Sequence, residues 1–126
     1  MEASNIMDLE AFRQFCSQKK GVMECFPFDF ETLVMKVGSK MFALTAINVR
    51  PLRINLKCDP FIAEELRAEF AAVQPGYHMN KRHWNTVTVD GSIPKEKILW
   101  MIDHSYDLVF KGLKKSEREE IRGKKT

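Results

Sequence analysis

The sequence predicts a two-layer α+β domain in which an antiparallel β-sheet is covered on one face by helices. Three observations carry that expectation. Apolar residues recur at helical spacing in stretches separated by strand-like segments. Two of those segments flank Gly38-Ser39, a hairpin signal with Gly where a positive φ is needed. The resulting order, α-β-β-β-α-β-α, lacks the regular β-α alternation of a parallel sheet.

The first helix is expected over about residues 7–19, with Leu9, Phe12, Phe15 and Cys16 on one face, and Gly21 breaks it. Strands follow at 33–37 and 40–46. Their register sets Leu33 opposite Leu44 and Met35 opposite Phe42 on an apolar face, with Lys36 opposite Met41 on the other. From 52 to 57 the alternation is strict: Leu52, Ile54 and Leu56 point one way, Arg53, Asn55 and Lys57 the other. Pro51 fits just before that strand. Asp59-Pro60 opens the second helix, Asp as N-cap and Pro at the first helical position. Ile62, Ala63, Leu66 and Phe70 form its buried stripe, and it ends before Pro75-Gly76. A strand at 84–89 turns Val87 and Val89 inward and Thr86 and Thr88 outward, stopping at Asp90-Gly91. Ser92 caps the last helix and Pro94 lies in its first turn. Ile98, Ile102, Ser105, Val109 and Leu113 make its apolar stripe. Trp100 falls among the polar positions, which suits packing under the charged end or an interface for a protein partner or self-association.

At 126 residues the chain is one domain. Folding at this size buries roughly 65–70% of the unfolded surface, enough for a core without staples. The net charge of +3 comes entirely from the segment 114–126, with six Lys/Arg less three Asp/Glu. A domain at 1–113 followed by a solvated, charged tail at 114–126 is therefore expected. Any basic surface on the near-neutral body must come from arrangement. Cys16, Cys25 and Cys58 are odd in number and scattered, as free cytosolic thiols are. No signal sequence opens the chain, and no apolar run approaches the roughly 20 residues of a membrane span. A cytoplasmic protein without a membrane partner is expected.

If helices cover one sheet face, the opposite face collects Lys36, Arg53, Asn55, Lys57, Thr86 and Thr88 without an acidic residue. That arrangement suits phosphate; a solvated face that discourages edge pairing has the same composition. The densest segment is PGYHMNKRHWN, residues 75–85, leading into a strand. Tyr77 and Trp84 offer stacking surfaces, Lys81 and Arg82 neutralise phosphate, and Asn80 and Asn85 supply polar contacts. The same residues also serve a loop anchored to the core by its aromatics.

The run PGYHMNKRHWNTV closely resembles the signature of the MmcQ/YjbR family, with further matches in FPFD, KVGSKMFAL, LKCDP and IDHSYDLV. The resemblance spans roughly residues 6–113. It implies a fold similar to secretion chaperones and frataxin, and a DNA-binding role by likeness to a "double wing" domain that grips DNA with its sheet. Its motif falls on Lys57, Tyr77, His78, Asn80, Lys81, His83, Trp84 and Asn85.

Other chemistry has less to stand on. His78 and His83 with Cys58 or Asp59 match no short zinc pattern. A thiolate is favoured at Cys58 beside a helix N-terminus, but catalysis needs a His within reach. The six glycines are isolated, so no phosphate-cradling loop occurs. No enzymatic activity, cofactor or metal is expected. DNA binding is the leading reading, with Lys36, Arg53, Lys57, Lys81 and Arg82 on phosphates. A protein–protein adaptor of secretion-chaperone type, suggested by Trp100 and Phe61, and a small-anion-binding module are the alternatives.

Overall fold

The computed structural model describes residues 6–77 and 79–123. Ten elements follow in chain order: α1 (Leu9–Ser17), β1 (Val22–Cys25), β2 (Thr32–Val37), β3 (Lys40–Ala46), β4 (Leu52–Lys57), α2 (Pro60–Glu69), β5 (Val73–Pro75), β6 (Trp84–Val89), α3 (Lys95–Lys111) and α4 (Lys115–Gly123). The two-layer antiparallel α+β arrangement is as the sequence predicts. Its element order is not, because β1, β5 and α4 are additional. All six strands join one sheet in the order β1-β2-β3-β4-β6-β5, every pairing antiparallel.

Local chemistry accounts for the element ends. The Asp8 carboxylate accepts from the Ala11 N–H at 2.8 Å and caps α1, whose Phe12 and Cys16 are fully buried. Asp59 caps α2 by accepting from the N–H groups of Phe61 and Ile62 at 2.9 and 3.3 Å, ahead of Pro60. Ser92 is not a helix cap. Its N–H and hydroxyl donate to Asp90 within the preceding turn, and Pro94 occupies the cap position of α3. The Arg50–Pro51 peptide leading into β4 is cis.

The β2–β3 register departs from expectation at one residue. Pairing steps from Met35–Ala43 to Lys36–Met41, so Phe42 is the extra residue of a β-bulge. Beyond it Leu33 faces Thr45, and Val34 faces Leu44. A one-residue slip turns side chains to the opposite face. Phe42 stays on the helical side, edge-on to Tyr106 at 5.4 Å, while Leu44 is moved to the open side.

The core lies between the sheet and the helices. Leu33, Met35, Val37, Leu52, Ile54, Leu56, Val87 and Val89 meet Phe12 and Cys16 of α1 and the α3 stripe of Ile98, Met101, Ile102 and Val109. Ser105 is the polar exception in that stripe, with no exposure. The registered β3–β4 pairs end at Ala43–Leu56, and Ser105 serves the backbone beyond that point. Its hydroxyl donates to the Phe42 carbonyl at 2.6 Å and accepts from the Lys57 N–H at 2.9 Å.

Within the charged end, Lys115–Gly123 form α4 and are not a solvated tail. Ile121 is buried and sits where Gly21, at φ +76°, leaves room: a Cβ there would lie 3.0 Å from its side chain. Glu117 accepts from the N–H and hydroxyl of Ser39 in the hairpin turn, and Arg118 donates to the carbonyls of Leu113 and Lys111. Trp100 does not lie under this helix. It stacks on His104, centroids 5.0 Å apart, with Lys97 over its ring and 42% of its surface exposed.

Candidate nucleic-acid interface

Strand alternation and the bulge decide what the open sheet face carries. Lys36, Arg53, Asn55, Lys57, Thr86 and Thr88 all fall on it by register. So do Val34 and Leu44, both buried, in the middle of the face. The expected locally basic face is therefore corrected in one respect: beside the expected Asn55, its centre is apolar. Arg53 is exposed, Lys36 and Lys57 are half-buried, and Thr86 is buried.

Two loops frame this face from opposite ends of the strands. Residues 26–31 follow β1, where Asp29 builds the turn. Its carboxylate accepts from the N–H groups of Glu31 and Thr32 at 3.0 and 2.8 Å, which hold its pKa below the ordinary value. That turn presents Phe26, Phe28 and Phe30, which are 45%, 63% and 93% exposed. At the other end, residues 76–83 close on themselves. Gly76 donates its N–H to the Trp84 carbonyl at 2.8 Å, and a Cβ on Gly76 would lie 2.8 Å from that of Trp84. Asn80 Oδ1 accepts from the N–H groups of Arg82 and His83. Between the loops lies a groove of about 660 Å³, bordered by Phe28, Tyr77, Met79 and Asn80 over a floor that includes Leu44 and Asn55.

The remaining expected residues separate into those at this groove and those beneath it. Tyr77 is 68% exposed, and its N–H donates to the Thr86 hydroxyl, which in turn donates to Asn55 Oδ1. Lys81 and Arg82 are exposed on the loop, with Lys81 Nζ donating to the Gly76 carbonyl at 2.9 Å. His83 and Trp84 are half-buried. His78 lies outside the described residues. Asn85 is the misfit: only 2% exposed, it lies on the helical face beside Leu56, so it is corrected from a surface contact to a support of the loop.

The residue that sequence reasoning missed is Arg67, on α2. Its Nε donates to Asn85 Oδ1 at 2.7 Å, and its Nη2 donates to the carbonyls of Lys81 and Trp84. It thus pins the 76–83 loop from behind. The only sequence signal was its place one position past Leu66 in the α2 stripe. Asn85 Nδ2 is buried and finds no acceptor among the described residues. The cavity beside it, bordered by Lys57, Cys58, Trp100 and His104, measures about 10 Å³, the scale of a single water.

The thiol chemistry weighed for Cys58 is not supported. Burial, then the adjacent Asp59 carboxylate, pushes its pKa up to about 11 against the opposing pull of Arg67, so it is a neutral thiol at neutral pH. Among the described residues no three His, Cys, Asp or Glu side chains are grouped to hold a metal. No described helix is long and apolar enough to cross a membrane.

His104 supplies a pH dependence. Its Nε2 accepts from the Asp59 N–H at 3.2 Å, which requires the neutral ring. Burial lowers its pKa from 6.5, outweighing the opposing pull of Asp59 and Asp107, and Lys111 lowers it further. The unfolded chain therefore takes up this proton first as pH falls. The contribution of His104 is complete above about pH 6.5 and is lost as pH falls through the folded value. Urea midpoints at pH 7.5 and 5.5 should show that loss in the wild type and a smaller one in His104→Gln. Equal losses would remove His104 from the account.

The YjbR family model matches residues 17–108, across β1 to most of α3 and including both loops that frame the groove. The chain belongs to the YjbR family. It is 33% identical to the uncharacterized protein YjbR of Escherichia coli K12 over 114 residues, 90% of this chain and 96% of that one. Uncharacterized YbdF of Escherichia coli O157:H7 is 36% identical over 98 residues, 78% of this chain and 80% of that protein. Among solved structures, the Deinococcus radiodurans protein DR2400 superposes with a TM-score of 0.87 at 45% identity, covering 94% of this chain and 90% of its own. A Pseudomonas syringae protein gives 0.70 at 26% identity, covering 81% and 98% respectively.

Proposed function

We propose that this YjbR-family chain is a non-enzymatic nucleic-acid-binding protein that contacts DNA with the open face of its sheet and the 76–83 loop. The observation that carries the reading is the pair of exposed aromatic residues, Phe28 and Tyr77, which line one groove from loops at opposite ends of the strands. Aromatic faces of this kind stack bases. Lys81 and Arg82, exposed on the 76–83 loop, with Arg53, Lys36 and Lys57 on the strands, serve the phosphates. Trp84, Asn80 and His83 complete the contact set, Asn85 acts through the loop, and His78 joins the proposal on the family motif alone. The resemblance to sheet-gripping domains supports the same assignment.

Anisotropy of labelled duplex and single-stranded DNA across a salt series tests this. Affinity should fall with salt at a slope of about −0.9 per neutralised phosphate. Arg82→Ala should weaken binding several-fold and flatten the slope by about one contact. Arg82 is the cleaner probe, because Lys81 also holds Gly76. Absence of binding at low salt, or indifference to Arg82, would overturn the assignment.

A second reading, a protein–protein adaptor, draws on Phe61 and Trp100, 76% and 42% exposed on the helical side of the domain. Buried aromatic anchors of this type dominate interfaces. In that case Trp100→Ala abolishes partner capture while DNA affinity is unchanged. The small-anion alternative gains less: Lys57 borders the small cavity and Tyr77 the groove, two separate spaces.

A further inference from the structure

The two amides at the groove have already committed their oxygens. Asn80 Oδ1 accepts from two backbone N–H groups, at 2.9 and 3.2 Å, which can only be donors. Asn55 is fixed in the same sense by Thr86. The Thr86 hydroxyl accepts from the Tyr77 N–H at 3.0 Å, and its own proton goes to Asn55 Oδ1 at 2.5 Å. Thr86 is only 8% exposed, so its proton needs that acceptor. Both side chains are thereby oriented to offer the groove their NH2 groups, each a pair of donors.

The rest of the lining is uncharged. Phe28, Met41, Leu44, Ala46 and Met79 supply apolar surface, and among the described residues no carboxylate or ammonium borders the space. A buried phosphate has no counter-charge there, whereas a flat, neutral ring does well. Lys81 and Arg82 are exposed on the neighbouring 76–83 loop, outside this lining, and Arg82 also borders the depression beside α2. A volume of about 660 Å³ suits a small-molecule-sized group.

Resting on the nucleic-acid reading above, we infer that the groove receives an unpaired keto base, thymine, uracil or guanine, from a single strand. Such bases present carbonyl acceptors where cytosine and adenine present an amino donor. Asn55 and Asn80 donate to those carbonyls, Phe28 and Tyr77 stack on the ring, and the flanking phosphates meet Arg82 and Lys81. A paired base in a duplex has its carbonyl edge partly occupied and its faces stacked. It is therefore disfavoured.

The test is anisotropy with fluorescein-labelled dT12, dC12 and a 12-base-pair duplex, all at one low salt concentration. Two pyrimidines are compared so that stacking area is held nearly constant. Wild type should prefer dT12 to dC12 by about five- to tenfold, the worth of one or two net hydrogen bonds. Asn55→Asp keeps the acceptor for Thr86 and replaces the donor by an oxygen. It should bring the dT12/dC12 ratio to about one or below, whatever its added charge does to both affinities. Asn80→Asp is the second variant with the same logic, used if Asn55→Asp fails to fold by circular dichroism. Arg82→Ala should weaken all three probes and leave the ratio intact, and Phe28→Ala should weaken the single strands alone. Equal binding of dT12 and dC12 by wild type, or a duplex preferred with Phe28→Ala silent, overturns the base-in-groove inference while nucleic-acid binding stands. Failure to bind any probe overturns both.

Discussion

Ser105→Ala is expected to cost about 2–4 kcal/mol of folding stability, the price of leaving two buried backbone groups without partners. A small side chain rarely matters this much, and the reason lies in the bulge. Because Phe42 is the extra residue in β3, the β3–β4 ladder stops one step early. The Phe42 carbonyl and the Lys57 N–H are then closed by a hydroxyl delivered from α3. Ser105 has no exposure, so water cannot take over. The loss should be read as a lower urea midpoint at unchanged m-value, which separates stability from a change in compactness. A shift worth less than about 0.5 kcal/mol would show that the ladder rearranges and that the hydroxyl is dispensable.

Arg67→Ala should rank next, and its effect should reach the loop. Asn85 already has an unpartnered Nδ2 in the interior. Removing the guanidinium takes away the donor to its Oδ1 as well, together with the donor to the Lys81 and Trp84 carbonyls. A cost of about 2–3 kcal/mol follows. Arg67→Lys should recover little of it, since an ammonium cannot reproduce a planar fork that serves three acceptors. Hydrogen exchange of the backbone amides of residues 79–84 should quicken in both variants, and DNA affinity should fall although Arg67 itself sits behind the loop. If exchange in the loop is unaltered while stability drops, Arg67 supports α2 alone and the loop is held by its own turn.

What could be read in advance depended on how local the determinant is. Asp59-Pro60, the alternation of β4 and β6, and the apolar stripe of α3 are each contained in a few neighbouring residues, and each is found as expected. Strands β1 and β5 are four and three residues long and lie at the sheet edges, with too few positions to show an alternation. The bulge is a property of the pairing and has no single-strand signal, and it is what brought Leu44 onto the open face beside Val34, which the alternation of β2 already placed there. Asn85 was legible and was passed over. The alternation that puts Val87 and Val89 inside puts Asn85 inside with them. The loop's chemistry made it look like a contact. The donor orientation of Asn55 and Asn80 could not be read at all, because it depends on Thr86 and on backbone amides that meet only in the folded chain.

The docking of α4 has a consequence for how the chain is made. Lys20 donates to the Arg122 carbonyl across 102 residues of sequence, and Ser39 is bonded to Glu117 across 78. Contacts so distant along the chain close late, because the intervening loop entropy must be overcome first. On the ribosome, the β2–β3 hairpin and the end of α1 are synthesised long before Ile121 exists to cover Gly21. The nascent domain therefore carries an uncovered apolar seam beside its first hairpin until α4 has been made. Until α4 docks, that seam is open to contact with other chains.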